Sequence, residues 1–224
     1  MTAPSSISAR LAVLQPRIEA ARKQSPLAAP CVTLLAASKS QPESLIEEAI
    51  NCNISHFGEN RVQEAEDKWP KLLEKHPQVR LHLIGPLQSN KAKAAVSLFH
   101  VIQSVDRESL VHSLADAMEK TGKYPECYVQ VNTGEEPQKA GVLPDKADAL
   151  LEHCKNVGLT ITGLMCVPPA QQPAAAHFAL LREIGLRNNI HMLSMGMSED
   201  FEAAIRMGSG CIRLGRSLFG ERQN

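Results

Sequence analysis

Val32-Thr-Leu-Leu-Ala-Ala-Ser-Lys39 is an apolar run that delivers a single lysine at its far end. Six consecutive residues drawn from Val, Thr, Leu and Ala read as a strand buried on both faces, the pattern of a parallel sheet. Ser38-Lys39-Ser40-Gln41-Pro42 stops the run, and Pro42 suits the first turn of a following helix. A lysine at the C-terminal end of such a strand stands at the mouth of a parallel α/β fold, where these folds place their ligands.

The strand-then-helix unit recurs outward from this stretch. Upstream, Ile7, Leu11, Leu14, Ile18 and Ala21 keep a helical period, which Ser25-Pro26 and Ala29-Pro30 then break. Downstream, strands are expected at 55–60, 80–85, 100–105, 128–132, 160–167, 191–196 and 211–215, each followed by a helical pattern or its start. Eight such units without a break in composition predict a (β/α)8 TIM barrel with an extra N-terminal helix. The chain is expected to form one domain over 1–224, with the N-terminal helix and linker at 1–30 and the barrel at 31–224. An open doubly wound sheet fits less well, because no glycine-rich turn follows the first strand. The polar stretch from Thr133 to Gly141 is long enough to fold over something.

Composition narrows the function classes. The 24 basic and 24 acidic residues cancel, so there is no electrostatic footprint for nucleic acid or an anionic membrane. Aromatic residues make up 4% of the chain, too few for base-stacking platforms. No apolar run approaches membrane-span length, and Met1-Thr-Ala-Pro-Ser-Ser lacks a signal-peptide pattern. Six scattered cysteines, with no pair at two-residue spacing, argue against a disulfide framework or a zinc site. A reduced, cytoplasmic protein is expected. His56, His100, His177 and His191 lack ligand-spaced partners and read as packing or surface residues. Glu43, Glu47 and Glu48 read as a solvated helix face, and Glu59 and Asp106 carry no assigned role.

The chemistry-bearing residues collect at the expected strand ends. Five of the thirteen glycines fall between Gly196 and Gly220. Gly196-Met-Ser198 and Gly215-Arg-Ser217 both enter helices after the last two strands, where barrels of this kind commonly bind phosphate. Arg213 lies within the final strand on the same face as Gly215, and a buried arginine requires a partner. A lysine across the mouth from a phosphate site suggests a Schiff base to a phosphorylated aldehyde. Pyridoxal 5′-phosphate fits best, with arginine as partner to the pyridine nitrogen. Imine formation needs a neutral amine, and lowering a lysine from about 10.4 to near 7 takes roughly 4 kcal/mol. A Schiff-base aldolase acting on a sugar phosphate uses the same parts and stays open.

Together the motifs resemble the pyridoxal phosphate homeostasis proteins, single-domain relatives of bacterial alanine racemase. They run through nearly the whole chain: Leu35-Ala-Ala-Ser-Lys39, Phe57-Gly-Glu-Asn60 with Val62-Gln-Glu64, and His82-Leu-Ile-Gly-Pro-Leu-Gln-Ser-Asn-Lys91. Gln130-Val-Asn132, Lys139-Ala-Gly141, Gly163-Leu-Met165, Ser194-Met-Gly-Met-Ser198, Glu202-Ala-Ala204, Arg213-Leu-Gly215 and Phe219-Gly-Glu-Arg222 follow in order. The resemblance implies that Lys39 carries pyridoxal 5′-phosphate as a Schiff base. It further implies that Ser198, Gly215 and Arg216 hold the phosphate, the last two through backbone amides, and that Arg213 faces the pyridine nitrogen. Asn60, His82 and Met165 would line the pocket. Arg216 departs from the small hydroxyl residue often found there, so a side-chain hydroxyl contact is lost and a charge is gained.

An arginine at the pyridine nitrogen keeps it unprotonated and makes the ring a poorer electron sink. The racemase relatives add a second domain and a tyrosine acid/base; here the chain ends soon after the eighth strand, and its only tyrosines are Tyr124 and Tyr128. The expectation is a non-catalytic carrier that buffers the cofactor for intracellular vitamin B6 homeostasis, as a monomer or weak dimer, with apo-enzymes that use the cofactor as recipients. A weak racemase using Lys39 as sole base is the alternative. Lys91 and Lys139 stand as candidate secondary sites of aldehyde attachment.

Overall fold

The computed structural model describes residues 6–220; Glu221 and Arg222 of the last motif lie outside them. Eight strands, β1 Thr33–Ala37, β2 His56–Glu59, β3 Arg80–Leu83, β4 Val101–Val105, β5 Glu126–Val131, β6 Ile161–Cys166, β7 Met192–Ser194 and β8 Cys211–Leu214, pair in sequence order as a closed parallel barrel. The seam joins β1 to β8, with Leu35 opposite Arg213. That pairing removes the open-sheet alternative, since an open sheet leaves its first and last strands at edges. The helices are α1 Ile7–Lys23, α2 Glu43–Asn51, α3 Val62–Lys75, α4 Ala92–Leu98, α5 Glu108–Thr121, α6 Ala147–Val157, α7 Ala174–Arg187, α8 Phe201–Arg206 and α9 Arg216–Phe219.

Two apolar layers hold this architecture. Between strands and helices lies a continuous core that includes Trp69, Phe57, Phe178, Phe201, Leu81 and Leu110. The predicted N-terminal helix joins it through Ile7, Leu11, Leu14, Ile18 and Ala21, packed against α8, α9 and α2. Arg17 fixes its placement by pairing with Glu202 and lying over the Phe201 ring. Inside the barrel, Leu35, Val101, Tyr128, Met165 and Cys211 are buried apart from that outer core. Period-two alternation explains the division, because successive strand side chains face opposite sides of the wall. The interior also holds polar groups, His82, Gln103, Ser194 and Arg213, all buried.

Candidate functional site

The Lys39 turn is clamped from below. Its neighbour Ser38 donates its N–H to the Gly58 carbonyl (3.0 Å) and its hydroxyl to Glu59 Oε1 (2.8 Å). Glu59 is fully buried at the end of β2 and also accepts Trp69 Nε1 (2.9 Å) and the Lys68 ammonium (2.9 Å). Lys68 then reaches the carbonyls of Ser38 (3.2 Å) and Gln41 (3.4 Å). On the far side of the turn, the Ser40 N–H donates to Glu64 Oε1 (2.6 Å). Glu64 and Lys68 are one helical turn apart on α3, so a single helix face grips both sides of Lys39. The grip matters because Ser40 is held at φ 60°, a left-handed conformation that a non-glycine residue keeps only under constraint.

Beside the Lys39 turn, at the ends of β8 and its neighbour β7, two turns meet. Gly196 after β7 has φ 97°, and a Cβ there would strike Ala204 Cβ at 2.5 Å, so both conformation and space require glycine. The turn brings Ser198 Oγ to 3.0 Å from Ser217 Oγ, and the Ser217 N–H also donates to Ser198 Oγ (3.3 Å). Ser217 lies in the first turn of α9, beside Gly215 and Arg216. Arg216 directs its guanidinium to exposed Glu199 (2.6 Å), tying the two turns together at the rim. Its side chain is therefore directed to that exposed bridge.

Arg213 enters from β8. It donates Nη1 to the Ser194 carbonyl (2.7 Å) and hydroxyl (2.9 Å), and Nη2 to the Cys166 carbonyl (2.7 Å). Burial pulls its pKa below the ordinary arginine value, yet guanidinium stays charged in proteins. Three bonds occupy three of its five N–H groups, and the residue still forms part of the mouth wall.

These elements enclose a cavity of about 690 Å³ at the C-terminal ends of the strands. Lys39, Asn60, Ser198, Arg213, Gly215 and Arg216 all line it, and Lys139 from the loop after β5 joins them. His82 and Met165 do not reach this wall. Both are buried inside the barrel, where His82 bonds to His56 (2.9 Å) and Gln103 (2.9 Å). Met165 pairs with Ser194, the residue that holds Arg213. Sequence reading left out Ser217, Lys68, Ser194 and Gln103. The turn Gly215-Arg-Ser217 carried a signal for the first; the others make contacts that no local pattern encodes. Lys91 reaches Gln63 (3.4 Å), and Lys139 pairs with Glu136 and the Pro168 carbonyl (3.3 Å).

The alanine racemase N-terminal domain model matches residues 11–223. The pyridoxal phosphate homeostasis protein of Vibrio cholerae is 37% identical over 97% of each chain. The chain belongs to the pyridoxal phosphate homeostasis family. Another family member, from Aquifex aeolicus, is 35% identical over 96% of this chain and 97% of its own. Among solved structures, PipY of Synechococcus elongatus with PLP bound superposes with a TM-score of 0.81, at 37% identity over 96% of this chain and all of that one. Family membership agrees with the barrel.

Proposed function

We propose that the chain is a non-catalytic pyridoxal 5′-phosphate-binding protein of vitamin B6 homeostasis, holding the cofactor as a Schiff base on Lys39. The observation that carries this reading is the convergence of Lys39, Arg213 and Ser198 on one cavity, with Ser217 Oγ 3.0 Å from Ser198 Oγ. The residues fit the group. The cavity lies within the roughly 300–1,000 Å³ range of small-molecule sites. A Cβ added to Gly215 would meet nothing closer than Ala37 at 3.7 Å, so protein packing does not demand glycine there and the open space belongs to the mouth.

The bound cofactor supplies an aldehyde carbon and a pyridine ring whose electron-withdrawing power depends on its nitrogen. Lys39 Nζ is the point of attachment. Ser198 and Ser217 offer hydroxyls, and Gly215 and Arg216 offer amides, to the phosphate. Arg213 meets the ring nitrogen as a donor that keeps its own proton, which disfavours a second positive charge there. Asn60 would line the pocket at the end of β2. Lining the cavity, among the described residues, are no tyrosine, histidine or cysteine to serve as a second acid or base. Glu199 is paired to Arg216, and Asp200 accepts the Met197 N–H (2.6 Å). A holding role therefore fits better than turnover.

The reading extends to one domain over 1–224 acting in the cytoplasm as a monomer or weak dimer, with apo-enzymes as recipients of the cofactor. Six free thiols suit a reducing compartment, and among the described residues no helix is long and apolar enough to cross a membrane. Absorption spectroscopy, borohydride reduction and peptide mass mapping test it. A visible chromophore, a reduced adduct on Lys39 and loss of both in Lys39→Ala are expected, with no inversion of alanine. A protein that stays colourless with pyridoxal 5′-phosphate would overturn the binding, and Lys39-dependent alanine inversion at enzymatic rates would overturn the carrier role in favour of a racemase.

A further inference from the structure

A chain of polar groups crosses the barrel interior beneath the mouth. Arg213 on β8 donates to Ser194 Oγ on β7 (2.9 Å), and that hydroxyl donates to Gln103 Oε1 on β4 (2.7 Å). Gln103 Nε2 then lies 2.9 Å from His82 Nδ1 on β3, and His82 Nε2 lies 2.9 Å from His56 Nδ1 on β2. The first four members are buried, Gln103 and Ser194 completely. Buried polar groups are tolerated only when each finds its partner.

Donor and acceptor counting gives the chain one direction. Guanidinium can only donate, so Ser194 Oγ accepts from Arg213 and is left with its hydrogen to give to Gln103. With its oxygen thus used, Gln103 turns its NH2 toward His82, whose Nδ1 must accept. Burial, reinforced by nearby His56 and Arg80, pushes the His82 imidazole well below its ordinary pKa. A neutral ring that accepts at Nδ1 carries its proton on Nε2 and gives it to His56 Nδ1. The reversed amide would make Ser194 accept twice and leave its hydrogen only the weakly accepting Cys211 thiol beside it.

We propose that Gln103 is a positioning residue, the centre of a one-way hydrogen-bond relay from Arg213 through Ser194, Gln103 and His82 to His56 that aims the Arg213 guanidinium at the ring nitrogen of the bound cofactor. The proposal rests on the reading of the mouth as a pyridoxal 5′-phosphate site. It gives His82 a role below the pocket wall, and it removes His56 from the packing residues.

Two measurements test it. In the wild-type chain, two-bond proton–nitrogen correlation of the histidine rings at pH 7 is expected to find His82 neutral with its proton on Nε2. In Gln103→Glu, nearly the same shape with no N–H to give, that proton is expected to move to Nδ1. An Nδ1–H or doubly protonated His82 in the wild type would overturn the relay. Gln103→Leu, with Ser194→Ala as the milder change, is then titrated with pyridoxal 5′-phosphate. The expected result is binding about tenfold weaker and a shifted absorption maximum, with the borohydride label still on Lys39. Wild-type binding and spectra in both variants would reduce Gln103 to core packing and overturn the proposal. A wild type that itself fails to bind would instead sink the cofactor reading, and the aiming role with it, whatever the His82 tautomer.

Discussion

Ser198 and Ser217 come from turns after different strands, yet their hydroxyls lie 3.0 Å apart. Each is expected to donate to the same anionic group, and bonds to charged partners contribute roughly 1.5–3 kcal/mol. Ser198→Ala or Ser217→Ala should therefore weaken pyridoxal 5′-phosphate binding by about tenfold or more without moving the Lys39 label, as fluorescence titration would measure. Arg216 makes a contrasting case. Its guanidinium is bridged to Glu199 in an exposed pair, so Arg216→Ala should leave binding within about threefold of wild type. A loss comparable to that of Ser198→Ala would place the side chain, rather than the backbone, on the phosphate. The sequence made Ser198 visible through Gly196-Met-Ser198. It could not weigh Arg216, whose partner sits on another turn.

At the scale of elements, α3 holds the Lys39 turn through a buried ion pair. Lys68 and Glu59 have side chains 10% and 0% exposed, so neither charge can be solvated if its partner is removed. Lys68→Met is expected to destabilise the fold by about 3–5 kcal/mol, more than an exposed pair would, in urea denaturation. The same variant should slow formation of the Lys39 adduct, because the Ser38 and Gln41 carbonyls lose their anchor. Unchanged denaturation midpoint and labelling rate would mean that the turn holds itself. A second element-scale expectation concerns the β5–β6 pair. The Tyr128 ring occupies the space above Gly163, where an added Cβ would come within 2.9 Å of three ring atoms. Gly163→Ala should cost about 1–3 kcal/mol by overpacking. Calorimetry showing no loss would indicate that the barrel interior yields more than its packing suggests. The strand and helix positions were legible in advance because each strand is bounded by polar turns and each helix keeps its apolar period. The clamp was not legible, since Glu59 and Lys68 are ordinary charged residues until the fold buries them.

For the whole molecule, buried His82 and half-buried His56 and His100 are expected to shape the acid limb of stability. His82 has its pKa lowered well below 6.5, first by desolvation, and His56 and His100 are lowered for the same leading reason. Below about pH 6.5 the unfolded chain takes up these protons while the folded barrel resists them, so stability is full above that pH and falls as pH drops. The contribution of buried His82 approaches about 1.4 kcal/mol per pH unit across the window, and the half-buried His56 and His100 add less because solvent screens them. His82→Gln should flatten the fall in melting temperature between pH 6.5 and pH 5, and an unchanged slope would assign the acid sensitivity elsewhere. The sequence by itself determined the eightfold alternation, the barrel it implies and the ring of strand ends at which Lys39, Ser198, Arg213 and Gly215 gather. Those features follow from local periodicity and chain direction, which every stretch carries within itself. Only the tertiary structure decided that His82 bonds His56, that Ser217 joins Ser198, and that Gln103 links Arg213 through Ser194 to His82. Such contacts join residues distant in sequence, and the Gln103–Ser194 bond spans the barrel interior from β4 to β7, so closure, not sequence neighbourhood, sets which side chains meet.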